Sequence, residues 1–348
     1  MSITHSRGAR GITLKELAGR LGVHPSTVSR VANGDPTLRI GHDTRTRIED
    51  LLRETGYRPN GIARSLKLRQ SFVLGVIIPD VTNPFFAALF RGIEDAALPR
   101  SYNVILCNTG GSPERERSQL RMLLDRRVDG LILASAHLAD PAVRRLREEG
   151  TPHVLVNRFS DERLDAFVGP DDLAGARLAT SHLAEQGCRR IGHLSGPKAV
   201  STSVLRQRGY LAGLADAGLE ADPSLVVEAG YTVEGGLRAG LKLLDRPAAQ
   251  RPDGVFCVND LAATGLYAAA RRLGVRIPAE LAVAGFNDIP DAERLDPPLT
   301  TIQVPVHELG VVAAGILIDQ VESGELTSRR VVFAPQLVVR GSSRRDRV

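Results

Sequence analysis

The stretch that decides the fold covers residues 13–34 and reads TLKELAGRLGVHPSTVSRVANG. Its apolar residues fall at helical spacing in two short segments, which predicts two helices joined by a tight turn. Thr13 can cap the first helix and Gly22 can close it. The second helix begins at Pro25, whose fixed φ suits a first helical position, and Asn33-Gly34 supplies a left-handed stop.

The outward face of the second predicted helix carries short or hydrogen-bonding side chains followed by one guanidinium. These residues are Pro25, Ser26, Ser29 and Arg30. Such a helix suits the major groove of DNA, where arginine can bond guanine O6 and N7 together. The alternative is a plain helical hairpin in an all-α core. Charge favours DNA, because residues 1–70 carry a net charge of +7 while the other 278 residues carry a net charge of −2.

Three blocks of sequence, in this order, resemble the LacI/GalR repressor family: TLKELA at 13–18, VHPSTVSRV at 23–31 and GYRPNGIARSLK at 56–67. The resemblance covers nearly the whole chain and implies a DNA-binding transcriptional regulator. Two departures concern local turn geometry. His24 stands where the family usually has a serine cap, and segment 35–42 is about two residues longer than usual.

Residues 1–59 are predicted to form a three-helix helix-turn-helix domain, whose third helix covers residues 44–55. Residues 60–70 are predicted to be a hinge helix or linker with too little apolar surface to be stable alone. In the resembled family this hinge orders on the operator, and a leucine at the position of Leu66 enters the minor groove. The alternative is a plain tether. The predicted DNA contacts are Pro25, Ser26, Thr27, Ser29, Arg30, Thr44, Asn60, Ala63 and Leu66.

From residue 71 to residue 340 short β-branched runs alternate with helical stretches. The predicted strands are 72–78, 104–107, 131–133, 154–156, 191–194, 225–227, 255–258 and 281–284. This pattern predicts an α/β body of two doubly wound parallel sheets with a cleft between two lobes. The resemblance adds that the body is similar to a periplasmic sugar-binding protein, that the chain returns to the first lobe at 297–301, and that 335–342 is a closing strand. Residues 341–348 are predicted to be a frayed basic tail.

Bulk composition places limits on the class of protein. A chain of 348 residues that is 43% hydrophobic and 24% charged predicts a soluble globular protein. The start has no apolar core of signal-peptide length and no run approaches a membrane span, so a cytoplasmic location is expected. Cys107, Cys188 and Cys257 are odd in number and far apart, which predicts buried reduced thiols.

No arrangement of residues points to catalysis. The sequence lacks a dinucleotide fingerprint and a phosphate-binding loop, and His307-Glu308 has no second histidine at the zincin spacing. Ser195 lacks the glycines of a nucleophile elbow. Asp171-Asp172 suits a helix N-terminus better than a metal or paired-carboxylate site. No catalytic residue, metal or cofactor is therefore predicted.

Polar residues follow several predicted strands, where open α/β sheets bind their ligands. Residues that match effector contacts in the resembled family are Asn157, Arg206, Tyr231, Asn259 and Asn287. Asp80 and Phe86 are expected to line the other wall of the cleft, in the first lobe. Amides, one arginine and one stacking aromatic suit a polyhydroxy, sugar-like ligand, although some of these side chains are expected only to cap helices. Asn157 and Asn287 stand where many sugar-responsive members carry Asp, and Val304 stands where Gln is frequent, so the ligand's identity stays open.

These features predict a repressor that binds a palindromic operator in double-stranded DNA as a homodimer, with a tetramer as the alternative. A small sugar-like effector is expected to act through the hinge, with induction favoured over corepression. One alternative is control by a protein corepressor that docks on the body. Another is a plain solute-binding protein, which the basic head and the missing export signal argue against.

Overall fold

The computed structural model describes residues 12–35, 37–57 and 70–345. The chain divides into two compact units, residues 1–71 and 72–348. The first unit contains α1 (Leu14–Leu21), α2 (Pro25–Ala32) and α3 (His42–Thr55). The third helix was predicted to begin at Thr44 but begins at His42, because extended Gly41 provides the N-cap and Asp43 in the first turn complements the helix dipole.

Both predicted caps of α1 are present. Thr13 Oγ1 accepts from the Glu16 backbone N–H at 3.3 Å, and the Glu16 carboxylate accepts from the Thr13 N–H at 2.7 Å, which is a capping box. Gly22 ends the helix at φ +65°. His24 caps α2, because its Nδ1 accepts from the Ser26 N–H at 3.2 Å. An imidazole nitrogen therefore takes the place of the usual serine hydroxyl.

The inner faces of the three helices share one small core. Its buried members are Leu17, Ala18, Val28, Val31 and Ile48. They lie at the helical spacings that the sequence predicts, so the outer face of α2 stays free of core contacts.

The first lobe of the body is a six-stranded sheet in the order β11-β5-β4-β3-β1-β2. All its strand pairs are parallel. The strands are β1 (Val73–Ile78), β2 (Asn103–Asn108), β3 (Gly130–Leu133), β4 (His153–Val156), β5 (Ala166–Pro170) and β11 (Arg330–Phe333). The helices of this lobe are α4 (Pro84–Ala97), α5 (Pro113–Asp125), α6 (Pro141–Glu148) and α11 (Val306–Ser323).

The second lobe repeats the plan, with strand order β12-β10-β9-β8-β6-β7. Its strands are β6 (Ile191–Ser195), β7 (Val226–Glu228), β8 (Gly254–Cys257), β9 (Ala282–Asn287), β10 (Thr300–Gln303) and β12 (Gln336–Val338). The helices are α7 (Asp172–Glu185), α8 (Ser201–Asp216), α9 (Val233–Leu244) and α10 (Asp260–Arg272). Among the described strands of this sheet, only β12 is antiparallel to its neighbour. The predicted fold, two doubly wound parallel lobes, is confirmed.

The chain passes between the lobes after β5, β10 and β11. The return to the first lobe was predicted at 297–301, but β10 still pairs with β9 of the second sheet. The crossing follows β10, and α11 then packs against α4 and the first sheet. Sequence patterning missed β5, β10 and β11, because Gly169 and Pro170 interrupt the first and all three strands are short.

The end of the described chain is not frayed. Ser342 and Ser343 are buried, and the Ser342 N–H donates to Pro298 O at 2.9 Å. An Arg345 guanidinium nitrogen donates to Asp253 O at 2.6 Å. The prediction of a frayed tail from residue 341 is therefore wrong for residues 341–345, and residues 346–348 lie outside the described range.

Cys107, Cys188 and Cys257 are buried and form no disulfide, as predicted. Burial raises the pKa of each thiol, that of Cys188 to about 12. Among the helices of the described residues, none has the length and apolar character needed to cross a membrane.

Candidate functional site

The face of α2 opposite the small core presents the predicted DNA contacts. Ser26 and Arg30 are exposed, while Pro25, Thr27 and Ser29 are half-buried. Thr44 lies half-buried in the first turn of α3. The remaining predicted contacts, Asn60, Ala63 and Leu66, lie outside the described residues. The described contacts thus occupy one short helix and the start of the next.

Arg30 is held by the segment that follows α2. Its Nε donates to Asp35 Oδ2 at 2.7 Å and its Nη2 donates to Thr37 Oγ1 at 2.9 Å. The Asp35 carboxylate also accepts from the Thr37 N–H at 2.8 Å. The Arg30 guanidinium and the Thr37 groups lower the pKa of Asp35 to about 2. Sequence reasoning missed Asp35 and Thr37, although both lie in the segment that is longer than usual.

Two asparagines mark the carboxyl ends of strands in different sheets. Asn157 follows β4 with φ +63°, and Asn287 ends β9 with φ +112°. Both conformations are unusual for a residue other than glycine and cost stability, a feature that is enriched at binding sites. The side-chain oxygens of both residues are buried and have no hydrogen-bond partner. Each lobe therefore offers an unused acceptor at the edge where α/β folds bind ligands.

Arg206 on α8 is buried among contacts within the second lobe. Its Nε donates to Asp172 Oδ1 at 2.8 Å, and its Nη1 donates to Val258 O. The guanidinium carbon lies 3.7 Å from the centre of the Phe286 ring. Burial raises the pKa of Asp172 to about 6, although Arg206 opposes the shift. Arg206 thus joins α8 to the start of α7 and to the end of β8.

Tyr231 lies two residues before α9 of the second lobe and faces the first lobe. Its hydroxyl shares a hydrogen bond of 2.8 Å with Thr202 Oγ1. The Arg158 guanidinium of the first lobe lies 5.3 Å from the Tyr231 ring centre. Asn259 donates to Tyr231 O at 3.1 Å and accepts from the Ala262 N–H at 2.9 Å. Asn259 therefore serves as the cap of α10, the alternative considered for such residues.

The two residues predicted on the wall of the first lobe differ in position. Asp80 is half-buried, and its Oδ1 accepts from the N–H and hydroxyl of Thr82 in a tight turn. Phe86 is buried in the core of the body. Its neighbour Phe85 instead lines a cavity of about 460 Å³ that Asn287 also lines.

Arg158 is the functional candidate that sequence reasoning missed, although it adjoins Asn157. It is only 9% exposed, and its Nε is buried without a hydrogen-bond partner. Burial lowers its pKa, and Tyr231 and Glu116 oppose the shift. The signal in the sequence was its position two residues beyond a strand, next to a predicted ligand contact.

Asp171, which was considered for a metal or paired-carboxylate site, has a structural role. Asp171 Oδ1 accepts from the Ala174 N–H at 3.0 Å and caps α7. In residues 12–35, 37–57 and 70–345 no group of three histidine, cysteine or acidic side chains is placed to hold a metal ion.

Comparisons with known proteins agree with this architecture. The model of the family described as bacterial regulatory proteins, lacI family, matches residues 13–60, and that of the periplasmic binding protein-like domain matches residues 180–343. The ribose operon repressor of Escherichia coli (strain K12) is 35% identical over 332 residues, which cover 95% of this chain and 99% of that protein.

Two solved structures extend the similarity to the fold. The complex of the transcriptional regulator CelR with cellobiose is 31% identical with a TM-score of 0.73, covering 95% of this chain and 99% of that one. The lac repressor dimer bound to operator and the anti-inducer ONPF is 25% identical with a TM-score of 0.84, covering 96% and 99%.

The chain belongs to the lacI family of bacterial regulatory proteins. It is a DNA-binding transcriptional repressor with a periplasmic-binding-protein-like effector domain, and it is not an enzyme. The predicted family, fold class and non-enzymatic role are confirmed.

Proposed function

We propose that this repressor binds a palindromic operator as a homodimer and that a small, polyhydroxy ligand between the two lobes controls its affinity for DNA. The observation that carries the ligand site is the pair of unused, buried acceptors on Asn157 and Asn287, one from each lobe. Buried polar atoms are normally paired, so unpaired ones at the carboxyl ends of strands indicate a missing partner.

The dimer follows from the size of the DNA-reading surface. One recognition helix per chain reads too few base pairs for specificity within a genome, and two-fold symmetry doubles the site. In this proposal Ser26 and Arg30 face base edges, Thr27, Ser29 and Thr44 contact phosphates, and Leu66 bends the centre of the operator. The site of action is the cytoplasm, where the DNA lies.

Control by the ligand follows from chain continuity. The linker leads directly into β1 of the first lobe, so a change in the angle between lobes alters the separation of the two linkers of a dimer. By linkage, ligand and operator then change each other's affinity by the same factor, typically worth about 1 to 3 kcal/mol. We favour induction, in which the ligand weakens DNA binding.

The DNA part is tested by selecting duplexes from a random library with the full chain. We expect a palindromic consensus and two chains per duplex in sedimentation. Arg30→Ala should lose about 1 to 3 kcal/mol per half-site and relax the preference at one base pair in each half. An unsymmetrical consensus, or a variant with unchanged affinity and preference, contradicts the proposal.

The ligand part is tested by calorimetry of the full chain against sugars, polyols and nucleobases. A compound that binds should also change the affinity for the selected duplex. A chain that binds none of them, and whose affinity for the duplex changes only when a protein partner is added, supports the corepressor alternative instead.

A further inference from the structure

Arg158 is a buried cation without an anionic partner. It follows β4 directly after Asn157 and is 9% exposed. Its Nε has no hydrogen-bond partner, and no carboxylate in the described ranges lies within 4.0 Å of its guanidinium nitrogens. Buried charges in proteins are normally paired, because removing a charge from water is costly when nothing compensates it.

The neighbours of Arg158 supply only part of that compensation. The Tyr231 ring, at 5.3 Å, attracts the cation through its π face. The acidic residue that acts on the pKa of Arg158 is Glu116, whose carboxylate accepts a hydrogen bond from Ser135 Oγ at 2.8 Å. Burial raises the pKa of Glu116 to about 7, so this carboxyl is only partly ionised at neutral pH. Arg206 adds positive charge, although Asp172 pairs with it.

The unpaired polar atoms of the body include the Nε of this cation and the side-chain oxygen of its neighbour Asn157. Seven buried side-chain atoms lack a partner in the described residues, and four of them belong to Asn157, Arg158, Asp172 and Asn287. The two asparagines are neutral, so neither balances the Arg158 charge. Asn157 and Asn287 thus offer amide groups suited to hydroxyls, and Arg158 offers a cation suited to an anion.

We propose that the ligand is an anionic polyhydroxy compound, whose carboxylate or phosphate pairs with Arg158 while its hydroxyls meet the amides of Asn157 and Asn287. This inference rests on the proposed function and names the class of its ligand. A planar guanidinium can bond two oxygens of either anion at once, and such charge-assisted bonds are about twice as strong as neutral ones. Both anion types share this chemistry, and the experiment separates them.

The test measures the thermal unfolding of the full chain with matched neutral and anionic compounds at constant ionic strength. The pairs are D-ribose with D-ribose 5-phosphate, and D-glucose with D-gluconate, with inorganic phosphate as a further probe. We expect an anionic member to bind roughly tenfold or more tightly than its neutral counterpart. The pair that responds identifies the carboxylate or the phosphate.

Two variants assign the preference to Arg158. Arg158→Met should abolish the response to the anion, whereas Arg208→Met, which removes an exposed arginine from the same helix as Arg206, should keep it. Without any ligand, Arg158→Met should unfold at a higher temperature than the wild type, because an unpaired buried charge is gone. If Arg158 had only a structural role, Arg158→Met would instead unfold at a lower temperature than the wild type.

The outcomes separate this inference from the proposed function. Neutral compounds that bind as well as the anions, an anion response that persists in Arg158→Met, or a less stable unliganded variant would each overturn the inference. If only neutral sugars bind and change the affinity for DNA, the anionic ligand is wrong and control by a small molecule stands. If no compound shifts the unfolding temperature, the anionic ligand is wrong, and the calorimetric panel of sugars, polyols and nucleobases decides the proposed function separately.

Discussion

Arg30 and Asp35 form an ion pair of 2.7 Å between α2 and the segment that follows it. Asp35 engages Nε, and Thr37 engages Nη2, so the guanidinium is fixed on the outer face of α2 while Nη1 forms no hydrogen bond in the described structure. The longer segment after α2 therefore supports the arginine that the proposed function assigns to base recognition.

We expect Asp35→Asn to weaken base recognition rather than the fold. Loss of the charge frees the Arg30 side chain, and the ratio of specific to non-specific DNA affinity should fall roughly two- to fivefold. The measurement is anisotropy titration with selected and scrambled duplexes. Asp50→Asn, which removes an equal charge from α3, should raise both affinities without changing their ratio. A higher ratio in Asp35→Asn would show that Asp35 competes with DNA for Arg30.

The contact between α4 and α11 depends on the absence of a side chain at Gly310. A Cβ there would lie 2.2 Å from Leu89 O and 2.9 Å from Ile93 N, which are backbone atoms that cannot move aside cheaply. Gly310→Ala should therefore lower the free energy of unfolding by about 1 to 3 kcal/mol or more.

Gly315→Ala on the same helix is the matched control for Gly310→Ala. A Cβ at Gly315 meets nothing within 4 Å, so its substitution should raise the free energy of unfolding by up to about 1 kcal/mol through helix propensity. Urea denaturation of the full chain measures both variants. Equal effects of the two substitutions would contradict the close packing of these helices.

Arg206 has a structural role in addition to its proposed contact with ligand. Arg206→Met leaves Asp172 buried without its partner and should cost about 3 to 5 kcal/mol of unfolding free energy. The double variant with Asp172→Asn removes the unpaired charge and should recover part of that loss. Chemical denaturation tests this, and a double variant no more stable than the single one would show that the pair is unimportant. The double variant is also the appropriate one for ligand-binding experiments.

His193 should make the body less stable in acid. Burial lowers its pKa to about 4 from 6.5, with its Nδ1 donating to Phe256 O at 3.0 Å. The unfolded chain therefore binds a proton that the folded chain does not, and stability is lost as the pH falls from about 6.5 to about 4. Between pH 7 and pH 5 this loss amounts to about 2 kcal/mol.

Comparison with His193→Phe isolates this contribution, because Glu116 and Asp260 have raised pKa values and act with the opposite sign. Phenylalanine preserves the stack between Tyr210 and Phe256. The difference in unfolding free energy between wild type and variant should change by about 2 kcal/mol on acidification from pH 7 to pH 5. A constant difference would mean that His193 is not held neutral.

Local signals explain what the sequence predicted well. The capping box at Thr13 and the stop at Gly22 act within one helical turn, so α1 could be placed to the residue. Strand runs such as β1 are continuous and apolar because helices cover both faces of a parallel sheet. His24 shows the limit of motif reading, since its ring nitrogen caps α2 although the expected residue type is absent.

Long-range contacts explain what the sequence did not predict. Arg158 becomes a functional candidate only in the folded structure, where Tyr231 of the other lobe lies over its guanidinium and no carboxylate of the described residues lies within 4.0 Å. Ser342 is buried because it forms hydrogen bonds with Pro298 and Val283. The sequence near residue 342 gives no sign of those partners. Asn259, like Asn157, follows a strand in the sequence, yet its side chain forms its hydrogen bonds within its own lobe.

The central claim is that occupancy of the cleft changes affinity for DNA. The most direct test measures the affinity of the full chain for its selected duplex with and without the ligand identified by calorimetry, and the affinity for that ligand with and without the duplex. We predict that saturating ligand weakens DNA binding and that the duplex weakens ligand binding by the same factor, roughly 5- to 150-fold. An affinity for DNA that does not change at saturating ligand would contradict the account.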